Sequence, residues 1–268
     1  MLQALRDVAR IEDQKVLING ASGGDGHLAV QRPLNSDRLF FSGMALLILG
    51  IVIVGFAPTF YLAPLFPGRP APAERFFYLK GVIFSTWFLL MPCQCWLIAS
   101  RRVVLHRTLG IAGASIAVLM VISGIWGALI AAGRPGGFIA VSAPPLMFLV
   151  EPLFDIVAFA SLVSLALIWR RDAASHKRLM LLGSLAMVDA AAARWPFVPT
   201  VHPIWGPVVM VVILVLALAA YDLNAKGRLH PITLWAGGAL ILSFPLRLWI
   251  GVSATWQQVA ATAVDWAR

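Results

Sequence analysis

The stretch 145-PLMFLVEPLFDIVAFASLVSLALIW-169 decides the fold. It is longer than the roughly 20 residues a helix needs to cross the apolar part of a bilayer. Its polar interruptions are few, and two of them, Glu151 and Asp155, are acidic. Runs of the same kind recur along the chain, at about 39–62, 76–99, 108–132, 178–197, 203–222 and 231–252. Barrel strands would be shorter and would alternate polar with apolar residues, which these runs do not. Composition agrees: 60% of the 268 residues are hydrophobic and 12% charged, against about 25% charged in an ordinary soluble domain. The expectation is an all-α polytopic transmembrane helix bundle of about seven spans. It divides into a polar cytoplasmic segment, 1–37, and a transmembrane domain, 38–268.

The formal net charge of +9 invites a nucleic-acid partner. Its distribution excludes one, because the basic residues fall in short connections between spans, where they act as topology signals and touch lipid headgroups. Alternate connections carry Arg6, Arg10, Lys15, Arg32 and Arg38; Arg101, Arg102 and Arg107; Arg170, Arg171, Lys177 and Arg178; and Lys226 and Arg228. The opposite connections and the C-terminal tail carry only Arg69, Arg75, Arg134 and Arg268. The positive-inside rule then places the N-terminus in the cytoplasm. The lipid bilayer is the first partner, and the compartment expected is the bacterial inner membrane.

Six charges remain inside or at the ends of the spans: Lys80, Glu151, Asp155, Asp189, Arg194 and Arg247. A charge at mid-bilayer costs at least about 2.5–3.5 kcal/mol on insertion scales, so such residues face protein or a cavity. At about 1.5 Å per residue, all six fall between the midplane and the outer face. Three are acidic and three basic, which allows full mutual pairing. Glu151 and Asp155 share a helix face. Pro152 and Pro245 lie beside these charges and Pro92 beside Gln94, and each can break a helix where backbone lines protein or water. The expected binding residues are Lys80, Glu151, Asp155, Asp189, Arg247 and Gln94, taking a small polar molecule or protons. Arg194 is read instead as reaching for the headgroups.

No catalytic residue is named by any motif, and no metal site is expected. Cys93 and Cys95 are two apart on a helix, so they point apart and are read as buried free thiols. His27, His106, His176, His202 and His230 lie in loops or at helix ends, away from where a mid-membrane haem would need them. Small residues at Gly110/Ala114 and Gly113/Ala117 are expected to admit a close helix neighbour.

Two connections are alike: Arg101-Arg102 with His106-Arg107, and Arg170-Arg171 with His176-Lys177-Arg178. They suggest a parallel duplication of helix pairs. Together with Phe77, Leu79, Gly81, Trp87 and Gln94, then Leu109-Gly110 and Leu179-Met180, the stretch 40–197 resembles a family of bacterial polytopic inner-membrane proteins with no assigned activity. That family has His where this chain has Lys80. The resemblance implies membrane location and no chemistry. Beside lipid, two partner classes stay open: a small-molecule ligand, quinones included, and a larger membrane complex. Three functions do too: a buried charged site for a small polar molecule or protons, a non-enzymatic accessory subunit, and a membrane enzyme or redox protein acting on a lipid-soluble substrate.

Overall fold

The computed structural model describes residues 26–68, 74–139, 141, 143–195 and 205–267, with side chains from Ser36 onward. Among these residues there is no strand. Ten α-helices follow one another: α1 Gly26–Phe56, α2 Arg75–Ala99, α3 Val103–Ala132, α4 Pro145–Phe148, α5 Val150–Ile168, α6 Ala173–Leu185, α7 Asp189–Ala192, α8 Trp205–Lys226, α9 Gly238–Gly251 and α10 Ala254–Trp266. Wider π turns at Ala57–Tyr61 and Thr233–Gly237 extend α1 and introduce α9. Packing separates the residues up to Phe40 from those of Phe41–Arg268.

Among the described residues, six helical segments are long and apolar enough to cross a membrane: Ser36–Tyr61, Arg75–Ala99, Val103–Ala132, Pro145–Ile168, Trp205–Lys226 and Thr233–Gly251. The chain is an all-α polytopic membrane protein. The segment expected as a seventh span, 178–197, takes another form. Helix α6 gives way at Ala186, and bonds from Met187 N to Ser184 O and Val188 N to Leu185 O tighten the path before α7 begins at Asp189. The Asp189 carboxylate accepts from the N–H of Ala190 at 2.6 Å. An aspartate that bonds nearby backbone competes with the regular helix ladder, and the tight turn sits directly before it.

The two ends of the bundle are named here by their residues. The Arg134 end holds the connections after α1 and α3; the His106 end holds those after α2, α5 and α8. Between them the core closes on Trp87, which is buried, packs edge-on against Phe159 of α5 at 4.9 Å, and donates from Nε1 to Ser184 Oγ of α6 at 3.1 Å. Glycines bring α3 close to its neighbours. A Cβ at Gly113 would lie 2.9 Å from Leu90, and one at Gly124 would lie 2.9 Å from Ile156. Of the two small-residue pairs expected to do this, Gly113 and Ala117 are buried. Gly110 has nothing within 4 Å of its would-be Cβ, because it looks away from the bundle. The thiols also differ from expectation: Cys93 is exposed, and Cys95 is half-buried with its thiol donating to the Phe41 carbonyl at 3.8 Å.

The tightest approach is between α1 and α7, where a Cβ at Gly55 would collide with the Ala191 carbonyl. Backbone cannot swing aside as a side chain can, so Gly55→Ala is expected to cost about 1–3 kcal/mol, the range for overpacking. Gly50→Ala, one and a half turns earlier with nothing within 4 Å of the new methyl, is expected to leave thermal unfolding in detergent unchanged or slightly later. Equal melting temperatures for the two variants would contradict this packing.

Candidate functional site

Arg247 lies four residues before the end of α9 and has no exposed surface. A guanidinium carries five N–H donors and cannot shed its charge, so a buried one needs acceptors on several sides. It finds them on three elements. Its Nη1 donates to Asp155 Oδ1 of α5 at 2.5 Å and to Glu151 Oε2, one turn earlier, at 3.3 Å. The Asp189 carboxylate at the start of α7 stands 3.9 Å from the same nitrogen. Its Nη2 donates to Ser243 Oγ at 3.1 Å. Phe244 and Phe154 flank the group at 4.5 and 5.6 Å, which places rings rather than water beside it. Nε is buried without an acceptor.

Three carboxylates therefore converge on one cation. Asp155 and Asp189 face the same Arg247 nitrogen and so stand close together. Carboxylates this close repel one another, and a proton held between them would relieve that repulsion. Arg194, half a turn beyond α7, acts electrostatically on Asp189. With that proton and both arginines the group of carboxylates is neutral; without the proton it carries one negative charge in excess. Exposure of the carboxyl side chains rises from 7% at Asp155 through 15% at Asp189 to 20% at Glu151.

Four of the expected binding residues, Glu151, Asp155, Asp189 and Arg247, thus meet in one hub near the Arg134 end. Two do not join it. Lys80 stands at the same end but against α3, where a Cβ at Gly127 would lie 3.2 Å from its Nζ. Gln94 is at the far end of α2, where its carboxamide nitrogen donates to His106 Nδ1 at 2.6 Å and its oxygen accepts from Gly110 N at 3.1 Å. The full pairing of three acids with three bases gives way to one arginine holding all three acids. Arg194 donates to the Ala190 carbonyl and lies over Phe56 at 4.7 Å.

A second buried charge pair was not anticipated. Arg178 of α6 and Asp222 of α8 are ion-paired, both without exposed surface. Arg178 Nε donates to both Asp222 oxygens at 3.1 and 3.3 Å, and Nη1 to Ala174 O at 2.8 Å. Asp222 Oδ2 also accepts from Thr233 Oγ1 at 2.5 Å and from His230 N at 3.2 Å. Its place after Lys177 in a basic run groups Arg178 with the connection before α6. The signal that would have moved it is Asp222, an acid inside a span end at the same height. The pair is saturated and balanced, so it fastens α6, α8 and the π turn together. The His106 imidazole is held by Gln94, and His176 Nδ1 lies 2.8 Å from Ala166 O. Among the described residues no three His, Cys, Asp or Glu side chains are grouped to hold a metal ion.

No protein-family model, no curated protein and no solved structure matches the chain. The family resemblance therefore rests on the motif residues alone, and function has to be argued from the hub.

His230 offers a pH handle outside the spans. Burial, and then the charges of Arg178 and Lys226, push its imidazole down to about 4 from 6.5, against the weaker pull of Asp222 and Asp172. Its Nδ1 accepts from Ile232 N at 3.2 Å, a bond that the protonated ring cannot make. The unfolded chain takes up this proton near pH 6.5 and the folded one only near pH 4. Stability is therefore expected to fall as pH drops through that window. In His230→Asn, whose side-chain oxygen can take the same N–H, that part of the loss should disappear. Parallel melting-temperature curves for the two proteins between pH 7 and 4 would refute it.

Proposed function

We propose that the protein binds and passes protons at the carboxylates around Arg247, in a bacterial inner membrane with its N-terminus in the cytoplasm. The observation that carries this reading is the convergence of three carboxylates, Asp155, Glu151 and Asp189, on the one buried guanidinium of Arg247. The group has room for one proton more or less at a site where charge is expensive, and that is what a proton relay needs. Glu151, the most exposed of the three, is the group nearest the membrane surface and would take the proton in; Asp155 and Asp189 would share it; Arg247 would stabilise whichever carboxylate is ionised. Its spare Nε gives the guanidinium a donor to offer when the charge moves.

A small polar molecule fits the hub less well than a proton. Phe154, Phe244 and Ser243 occupy the space around Arg247. Two surface grooves stand elsewhere. One, of about 260 Å³, runs between α3 and α10 along Leu129, Gly133 and Val264; the other lies on α10 at Gln258–Trp266. A second reading, that the hub is a lock in an accessory subunit, draws support from the complete burial of Arg247.

One substitution separates the two. Asp155→Asn keeps the size, and its amide can still donate to Asp189, but it removes the proton that moves. Wild-type protein in liposomes is expected to collapse an imposed pH gradient, and the variant to leak no faster than protein-free liposomes. Infrared spectra of the wild type at neutral pH should show a protonated carboxyl band that Asp155→Asn or Asp189→Asn abolishes. A variant that passes protons as the wild type does, but melts earlier, would establish the lock.

A further inference from the structure

Lys80 is the charge that the hub leaves over. Its side chain is half-buried between α2 and α3, with the ammonium 5.1 Å from the Phe84 ring centre and with Phe76 beside the Gly127 position it fills. Among the described residues it makes no ion pair and no hydrogen bond. Arg194 lies on the same side of the bundle: it covers Phe56 of α1, and Phe60, one turn further on, packs against Gly81 beside Lys80. A ring face is a weaker partner for a cation than an anion is, and an ionisable side chain inside a span usually has a charged or polar partner. The carboxylates of the hub face Arg247, and among the described residues none is paired with Lys80.

The surroundings say from where a negative partner would come. Over its membrane-crossing window α2 is 17% buried by protein, against 44% for α3, so α2 is a peripheral helix whose other faces meet lipid. Leu79 and Tyr78, next to Lys80, are exposed. Lys80 is five residues inside the start of α2, or about 7–8 Å at 1.5 Å per residue, close to the depth at which headgroups give way to acyl chains. Phe56, under Arg194, and Phe84, under Lys80, line the approach with apolar surface suited to a chain rather than to water.

We infer that Lys80 and Arg194 together bind the anionic headgroup, phosphate or carboxylate, of a membrane amphiphile that enters from the lipid side of α2. Lys80 supplies three donors and a compact charge and Arg194 the planar fork, a combination suited to a multidentate oxyanion. The site borders the proton-binding hub through Arg194, and its test reads a different quantity.

The test uses the whole protein, freed of lipid in a neutral detergent, with unfolding followed by tryptophan fluorescence. Phosphatidylglycerol is expected to raise the melting temperature of the wild type well above the effect of phosphatidylcholine. Lys80→Met should erase that difference. Gly127→Ala, which leaves the charge in place but sets a methyl 3.2 Å from the amine, should shrink it, and serves alone if Lys80→Met fails to fold. The protonated carboxyl band should persist in both variants. The inference is overturned if the two lipids act alike on the wild type, if the substitutions leave the difference intact, or if inorganic phosphate alone reproduces the shift.

Discussion

Everything near the Arg134 end depends on one constraint: Arg247 is a permanent cation with no access to water. Removing one partner from a buried charge pair costs on the order of 3–5 kcal/mol, because the other charge is stranded. The apolar contacts of the bundle would let α5 and α9 slide by a turn at modest cost. The guanidinium does not, since a one-turn slip in either direction would leave it one carboxylate of α5 in place of two. The same group pulls the start of α7 inward, and the tight turn at Ala186–Val188 is the backbone's way of delivering Asp189 to it.

The two buried polar centres are built on opposite principles. At the His106 end Arg178 and Asp222 cancel, and the aspartate's remaining capacity goes to Thr233 and His230. Nothing there gains by moving. At the Arg134 end acids outnumber the arginine they surround, one donor is unused, and contacts to the three carboxylates run from 2.5 to 3.9 Å. A balanced network rigidifies, whereas an incompletely satisfied one has other arrangements close in energy. The bundle is thus fastened at one end and adjustable at the other.

Heights were legible in the sequence; partners were not. The fixed rise of a helix makes depth a matter of counting, and it placed Glu151, Asp155, Asp189, Arg194, Arg247 and Lys80 at one end, where the structure has them. Counting alone also argues against grouping Gln94 with them, since it lies roughly 28 Å down α2 from Arg75 at 1.5 Å per residue. Which acid meets which base depends on the rotation of each helix about its axis and on who its neighbours are, and a single sequence fixes neither. Equal numbers of acids and bases suggested pairing one to one, yet only Arg247 points into the space that α5, α7 and α9 share. Arg178 was hidden by its company: in a run of basic residues at a helix start, the one turned inward looks like the others until Asp222 is set opposite. The interruption after α6 was legible in kind but not in position. Asp189 among alanines favours a local bond to backbone, while the exact residue at which a helix yields is set by what pulls on it.

The route of the proposed proton relay would be shaped by the same asymmetry. A relay needs a group that meets water, a group that stores charge and a barrier beyond it. Exposure falls from Glu151 to Asp189 to Asp155, and past Asp155 the next turns of α5 lead to Ile156 and Phe159, which close with Trp87 over the core. No acid or base lies between that plug and the Arg178–Asp222 pair along α5. A proton reaching Asp155 from the Arg134 end therefore meets an apolar barrier several turns thick, and full passage requires that barrier to wet or part. Pro92 in α2 and Pro245 in α9 each leave their helix short of a backbone bond, and Pro245 stands two residues from the charge whose balance the proton would change.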